Sequence, residues 1–281
     1  MDRHQLFNLV LASVSTAVLV GIPLAMMLAS RLWLSLPQNR PRNKNHPTNA
    51  SRSKACTTTI FLGSGGHTAE MLQLVSGLDG THYTPRHYVV GSDDNSSVEK
   101  VHRLEASMAV RRANTEETRA GRDIDAAGYP TTNTDVSSEY TVHRIPRSRH
   151  VHQTMLTTPF TLIKSLYVAM PLIKQLTCLT KSETLSTTGL LTEAPGHVRR
   201  SVLLMNGPGT CLALALAVIG ARMAGVPDEL TPDLVFLESF ARVKTLSLAG
   251  RLLYPLCDAF VVQWPGLVQQ YPRAKYIGTL V

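Results

Sequence analysis

The sequence predicts an α/β protein: a Rossmann-like, mostly parallel sheet carried behind one N-terminal transmembrane helix. Three observations predict it. Short apolar or β-branched runs alternate with helical patterns from about residue 57 onward. Two of these runs end in glycine turns that open helices, Gly63-Ser64-Gly65-Gly66-His67 and Asn206-Gly207-Pro208-Gly209-Thr210. The stretch between Arg3 and Arg31 contains no Asp, Glu, Lys or Arg.

That first stretch would extend about 40 Å as a helix, enough for a hydrocarbon core of about 30 Å. Gly21 and Pro23 lie inside it, which membrane helices tolerate, and Trp33 follows where an interfacial aromatic belongs. A cleaved signal peptide is the rival reading, but no convincing small-x-small cleavage site follows the apolar run. Arg3 precedes the span, whereas Arg31, Arg40, Arg42, Lys44, Arg52 and Lys54 follow it. The positive-inside rule then puts the N-terminus outside and the remainder in the cytosol. The sequons at Asn49 and Asn95 should accordingly stay unmodified. The expected organisation is an anchor over residues 1–36, a basic proline-containing linker over 37–56, and a cytosolic domain over 57–281.

Within the domain, strands are expected at Thr58–Leu62, His87–Val90, Tyr140–Ile145, Ser201–Met205, Leu234–Leu237 and Ala259–Gln263. Helices are expected at His67–Leu78, Ser96–Ala109, Pro159–Leu176, Thr210–Ala224 and Lys244–Leu253. Residues 111–139 and 180–200 are polar, lack apolar periodicity and read as surface insertions or disordered loops. The strands lack clean alternation, as burial on two faces requires.

Bulk composition narrows the function. A net charge of +8 and a pI of about 9.5 suit an acidic partner: phospholipid headgroups, a phosphorylated substrate or nucleic acid. Aromatics are only 6% and not interleaved with basic residues, which argues against RNA. The four cysteines are scattered, so neither a zinc site nor a disulfide framework is indicated, and buried apolar packing is the simplest role. G-x-S-x-G and H-E-x-x-H motifs are absent.

The turn at Gly63–His67 has the chemistry of a phosphate cradle. Glycines let backbone approach a bulky anion, and a helix N-terminus offers unpaired N–H groups. No Gly-Lys-Ser/Thr follows, and Thr68 stands where a dinucleotide fingerprint needs its third glycine. A tight strand–helix turn capped by Ser or Thr is the bland alternative. His67 is a candidate base or anion ligand, or an ordinary hydrogen-bonding residue, and Glu70 a candidate capping residue. If the strands are neighbours, Asn206, Gly207 and Gly209 face the same crevice. Arg147 and Arg149, in Arg144-Ile145-Pro146-Arg147-Ser148-Arg149, suit phosphate or an anionic membrane, or form a solvated charge run. Glu238 follows another strand; it could orient a sugar hydroxyl or pair with Arg242.

Taken in order, Gly63–Met71, Ile145–Arg149, Asn206–Thr210, Glu238–Val243 and Tyr276–Val281 closely resemble one family. It is the membrane-anchoring subunit of the endoplasmic-reticulum UDP-N-acetylglucosamine transferase, which adds the second GlcNAc to GlcNAc-pyrophosphate-dolichol. The resemblance covers about residues 57–281 apart from the two polar segments. It implies the acceptor-side half of a split GT-B glycosyltransferase, inactive alone. A small cytosolic catalytic subunit carrying the UDP-GlcNAc site would be recruited through the C-terminal region of this chain. The further partners implied are the dolichol-linked acceptor and the endoplasmic-reticulum membrane, with no cofactor, metal or nucleic acid. Gly65, Gly66 and His67 match the loop that faces the acceptor pyrophosphate in the related bacterial transferase making lipid II, and Thr68 adjoins them. A pure scaffold that touches no substrate is the alternative. A self-sufficient enzyme is disfavoured, because about 225 residues are too few for two such domains plus loops.

Overall fold

A computed structural model describes residues 25–39, 55–120, 140–146, 161, 163–175, 200–207 and 209–280, with side chains omitted over 115–120. The apolar run up to residue 24, most of the linker, Arg147, Arg149 and the polar segments 121–139 and 180–199 lie outside those residues.

Seven strands form one sheet: β1 Thr57–Phe61, β2 Arg86–Gly91, β3 Tyr140–Ile145, β4 Ser201–Asn206, β5 Asp233–Leu237, β6 Ala259–Val262 and β7 Ala274–Tyr276. Their order is β3-β2-β1-β4-β5-β6-β7, and every pairing is parallel. The helices are α1 (residues 25–35), α2 Gly66–Ser76, α3 Asn95–Ala120, α4 (residues 163–175), α5 Thr210–Met223, α6 Leu248–Leu253 and α7 Pro265–Gln270. The six expected strands are present within a residue or so at each end. The seventh was not foreseen, because Ala274-Lys275-Tyr276 is too short and too polar to signal a strand. The α7 start carried a readable sign, proline at its first position.

Two expectations need correction. The α3 helix continues to Ala120, so the first third of the expected insertion at 111–139 is helical. Arg, Ala and Glu recur there and favour helix without any apolar stripe. The α6 helix starts at Leu248 rather than Lys244. Ser247 sets the boundary by accepting a hydrogen bond from Gly250 N at 2.9 Å, as an N-cap serine does.

The sheet is covered on both faces. Successive β1 residues point opposite ways: Phe61 joins one apolar cluster, Ile60 and Leu62 the other. The first cluster is dominated by α5, whose Cys211, Leu214, Ala215, Val218 and Ile219 are buried, with Ala169, Leu172 and Ile173 of α4 packed into it. The second holds Met71 and Val75 of α2 and Val101 of α3. Burial pushes the Cys257 thiol up to about 12 and Cys211 higher than usual, so both act as inert packing groups.

Helix α1 is tied to the domain by Arg31, whose Nη1 donates to Met223 O at 2.8 Å, at the C-terminal end of α5. Its Met26, Met27, Leu28, Trp33 and Leu34 stay at least 50% exposed. No helix among the described residues is long and apolar enough to cross a membrane.

A buried ionic cluster joins α3 to the sheet. Arg86 donates to Glu105 through Nε at 2.6 Å and Nη2 at 2.7 Å, and Tyr88 Oη adds a third bond at 2.6 Å. Both charged side chains are nearly sealed from solvent. Replacing one partner would leave the other charge uncompensated, at a cost of about 3–5 kcal/mol. Glu105→Leu should therefore unfold at far lower denaturant concentration than the parent, while Arg86→Met with Glu105→Leu should recover much of the loss. Urea denaturation followed by circular dichroism measures both.

Candidate functional site

Strand order reverses direction between β1 and β4, which pair in register from Thr57↔Ser201 to Phe61↔Met205. Open α/β sheets hold their ligands outside the carboxyl ends of the strands at such a switch point. Both glycine turns therefore flank one crevice, the juxtaposition that chain order alone left open.

On the β1 side, the chain leaves Phe61, turns through Gly63–Gly65 and enters α2. Gly65 has φ +65°, a conformation that favours glycine, and no side chain caps the helix. The expected capping Ser or Thr is not used as a cap. Ser64 is exposed, and the buried Thr68 hydroxyl instead bonds Gly63 O and meets Ser97 Oγ at 2.9 Å. Thr68 is fully buried, so its hydroxyl is not open to a ligand. The first helical N–H groups, with Ser64, Gly65 and Gly66 exposed around them, make an open donor cluster at the positive end of α2.

On the β4 side, Gly207 adopts φ +112° and Gly209 precedes α5, again without a side-chain cap. The two turns touch through His67. A Cβ on Gly63 would come within 2.8 Å of His67 Cβ, and one on Gly207 within 3.1 Å of His67 Cγ. The imidazole is half-buried in the slot that these two glycines leave. Asn206 and Gly207, expected on the crevice wall, lie one layer beneath it and are buried.

His67 Nδ1 lies 2.9 Å from Asn206 Oδ1, and Asn206 Nδ2 donates to Glu70 Oε2 at 2.8 Å. Glu70 Oε1 accepts from Ser239 Oγ at 2.9 Å and Phe240 N at 3.2 Å. Glu70 is therefore not a helix cap: it is buried and ties α2 to the end of β4 and the loop after β5. Sequence reasoning missed this network. The available sign was the three-residue spacing of His67 and Glu70, which puts both on one helix face.

Glu238 adjoins that network through Ser239. Its Oε2 accepts from Ser247 N at 3.0 Å and Ser247 Oγ at 3.1 Å, and its Oε1 from Ser239 N at 3.1 Å. Neither a sugar hydroxyl nor an ion pair with Arg242 is needed to satisfy it. Burial raises its carboxyl above the ordinary carboxylate value, against the pull of the Ser247 and Ser239 hydrogen bonds. Arg144 is also committed, donating to Ser92 O at 2.8 Å and Asn95 Oδ1 at 2.9 Å. Among the described residues no group of His, Cys, Asp or Glu converges as metal ligands would.

Comparison with known proteins bears on this arrangement. A family model described as "Oligosaccharide biosynthesis protein Alg14 like" matches residues 58–280. Three similar proteins carry the name UDP-N-acetylglucosamine transferase subunit ALG14. The one from Rattus norvegicus is 34% identical, over 92% of this chain and 94% of its own length. That from Homo sapiens is 31% identical, over 97% and 98%. That from Schizosaccharomyces pombe is 34% identical, over 94% and 97%. No solved structure matches. With both glycine turns inside the matched span, the chain belongs to the Alg14-like oligosaccharide biosynthesis family.

Proposed function

We propose that this chain is the anchoring and acceptor-binding subunit of a UDP-GlcNAc transferase complex that adds the second GlcNAc to GlcNAc-pyrophosphate-dolichol. The observation that carries the reading is the crevice at the switch point, where an open helix N-terminus and His67 stand side by side. The names of the relatives, each a UDP-N-acetylglucosamine transferase subunit, agree with it. A separate small cytosolic subunit supplies the UDP-GlcNAc site and docks on the C-terminal region. One seven-stranded sheet accounts for the described part of the domain, consistent with half of a GT-B enzyme.

In this reading the acceptor pyrophosphate lies over Gly65 and Gly66, held by the N–H groups of Gly66 and His67 and by the positive end of α2. Arg147 and Arg149 add charge for the pyrophosphate or the lipid headgroups. The acceptor C4 hydroxyl attacks the anomeric carbon of the donor sugar. The bond from that carbon to UDP breaks, the configuration inverts, and UDP leaves. His67 takes the hydroxyl proton as general base. The complex works at the cytosolic face of the endoplasmic reticulum, held by a single N-terminal span whose N-terminus is lumenal. The exposed apolar side of α1 continues the uncharged run toward that span.

Membranes carrying this chain alone should show no GlcNAc transfer, and adding the small cytosolic subunit should produce it. Transfer by this chain alone would overturn the half-enzyme reading.

The glycines separate acceptor binding from a pure scaffold. A Cβ on Gly66 meets no atom within 4 Å, so Gly66→Ala should leave thermal stability unchanged. It would intrude only on a bound ligand, and acceptor kcat/KM should fall about tenfold or more, the order of one lost hydrogen bond to a charged group. A scaffold would keep full activity as long as the partner still bound. Gly207→Ala, by contrast, must hold φ near +112° and press on the imidazole, so stability should fall by about 1–3 kcal/mol along with activity.

Topology has its own check. With the domain cytosolic, Asn49 and Asn95 should carry no glycan, so glycosidase treatment should leave gel mobility unchanged. A shift would reverse the orientation.

A further inference from the structure

We propose that Glu70 and Asn206 are positioning residues that hold His67 as its Nδ1–H tautomer and leave Nε2 as the proton acceptor. This rests on the reading of His67 as base and adds what makes it one. The direction of every bond in the chain follows from its fixed end. Phe240 N is a backbone amide and can only donate; with Ser239 Oγ it occupies Glu70 Oε1. Glu70 Oε2 is also an acceptor, so Asn206 must turn its NH2 group toward it. The Asn206 carbonyl then faces His67 Nδ1 at 2.9 Å. A carbonyl can only accept, so Nδ1 must carry the hydrogen. In a neutral imidazole the lone pair is then on Nε2.

Burial enforces the direction. Asn206 is fully buried and Glu70 only 8% exposed, so an acceptor facing an acceptor there would lose a hydrogen bond with no water to replace it. Gly63 and Gly207 pack against the imidazole and hold it beside Asn206. Nothing among the described residues bonds to Nε2.

The same logic predicts a reversal and a rescue. In Glu70→Gln the amide carbonyl stays with Ser239 and Phe240, and the new NH2 group faces Asn206. Asn206 must then accept through Oδ1 and present its NH2 group to His67. Nδ1 becomes the acceptor and the proton moves to Nε2. Adding Asn206→Asp restores the original state, because a carboxylate there accepts both from the amide introduced at position 70 and from His67 Nδ1–H.

The test uses the full chain in detergent, labelled with 15N-histidine, with the His67 signals identified by their loss in His67→Gln. The parent should show Nδ1 protonated, E70Q should show the protonated nitrogen exchanged, and the E70Q/N206D double variant should return to the parental pattern. Assembled with the donor-side subunit, E70Q should lower kcat by about tenfold or more with acceptor KM within about twofold, as loss of a correctly protonated base does. The double variant should regain most of that kcat. Identical tautomers in the parent and E70Q, or a double variant no better than E70Q, would overturn the proposal and reduce the network to a loop tie. If the tautomer follows the prediction while His67→Gln still transfers sugar at the parental rate, the relay stands and the assignment of His67 as base is what fails.

Discussion

Everything at the site depends on the pairing of β1 with β4. These strands are separated by about 140 residues of sequence, yet they lie side by side in five consecutive parallel pairs. Their adjacency brings two uncapped helix starts to one crevice and puts Asn206 within reach of both His67 and Glu70. The pairing is in turn secured by α5. That helix is apolar around most of its surface, so it must be buried, and it packs into the same apolar cluster as Phe61 of β1 and Leu203 and Met205 of β4. Glycine supplies the remaining condition. With side chains at Gly63 and Gly207, the two loops could not close on the imidazole.

Much of this architecture was legible in the chain. Alternating strand and helix patterns placed six strands, and two-sided burial was readable from runs such as Ser201–Met205 that never alternate with polar residues. The parts that escaped notice were those where periodicity carries no information. The β7 strand is three residues long and is held by its neighbour rather than by an apolar face. The extension of α3 to Ala120 is polar throughout, so helix propensity rather than amphipathicity determines it. Arg147 and Arg149, expected to bind pyrophosphate or lipid headgroups, lie outside the described residues.

At the site, the glycine turns and His67 were readable as candidates because a strand–glycine–helix pattern leaves the helix N–H groups open. The assignment of Glu70 was not, since a glutamate in the first turns of a helix ordinarily serves the helix itself. Its partners, Asn206 and Ser239, lie 136 and 169 residues away, and no local rule links them. Glu238 shows the opposite case. Its position after a strand suggested a ligand contact, but its carboxylate is taken up by the start of α6. A motif residue can thus hold a loop in shape.

The contact between Glu238 and α6 also bears on how this sequence can change. A Cβ at Gly250 would collide with Glu238 Oε2, with Ser247 Oγ 3.0 Å away. A side chain at position 250 therefore requires the Glu238 carboxylate to shift, and a shorter residue at 238 would leave Ser247 N without its acceptor. The two positions form an epistatic pair, in which the order of substitutions decides whether the intermediate is viable. Lineages that keep the glutamate in this position would accordingly favour glycine at 250.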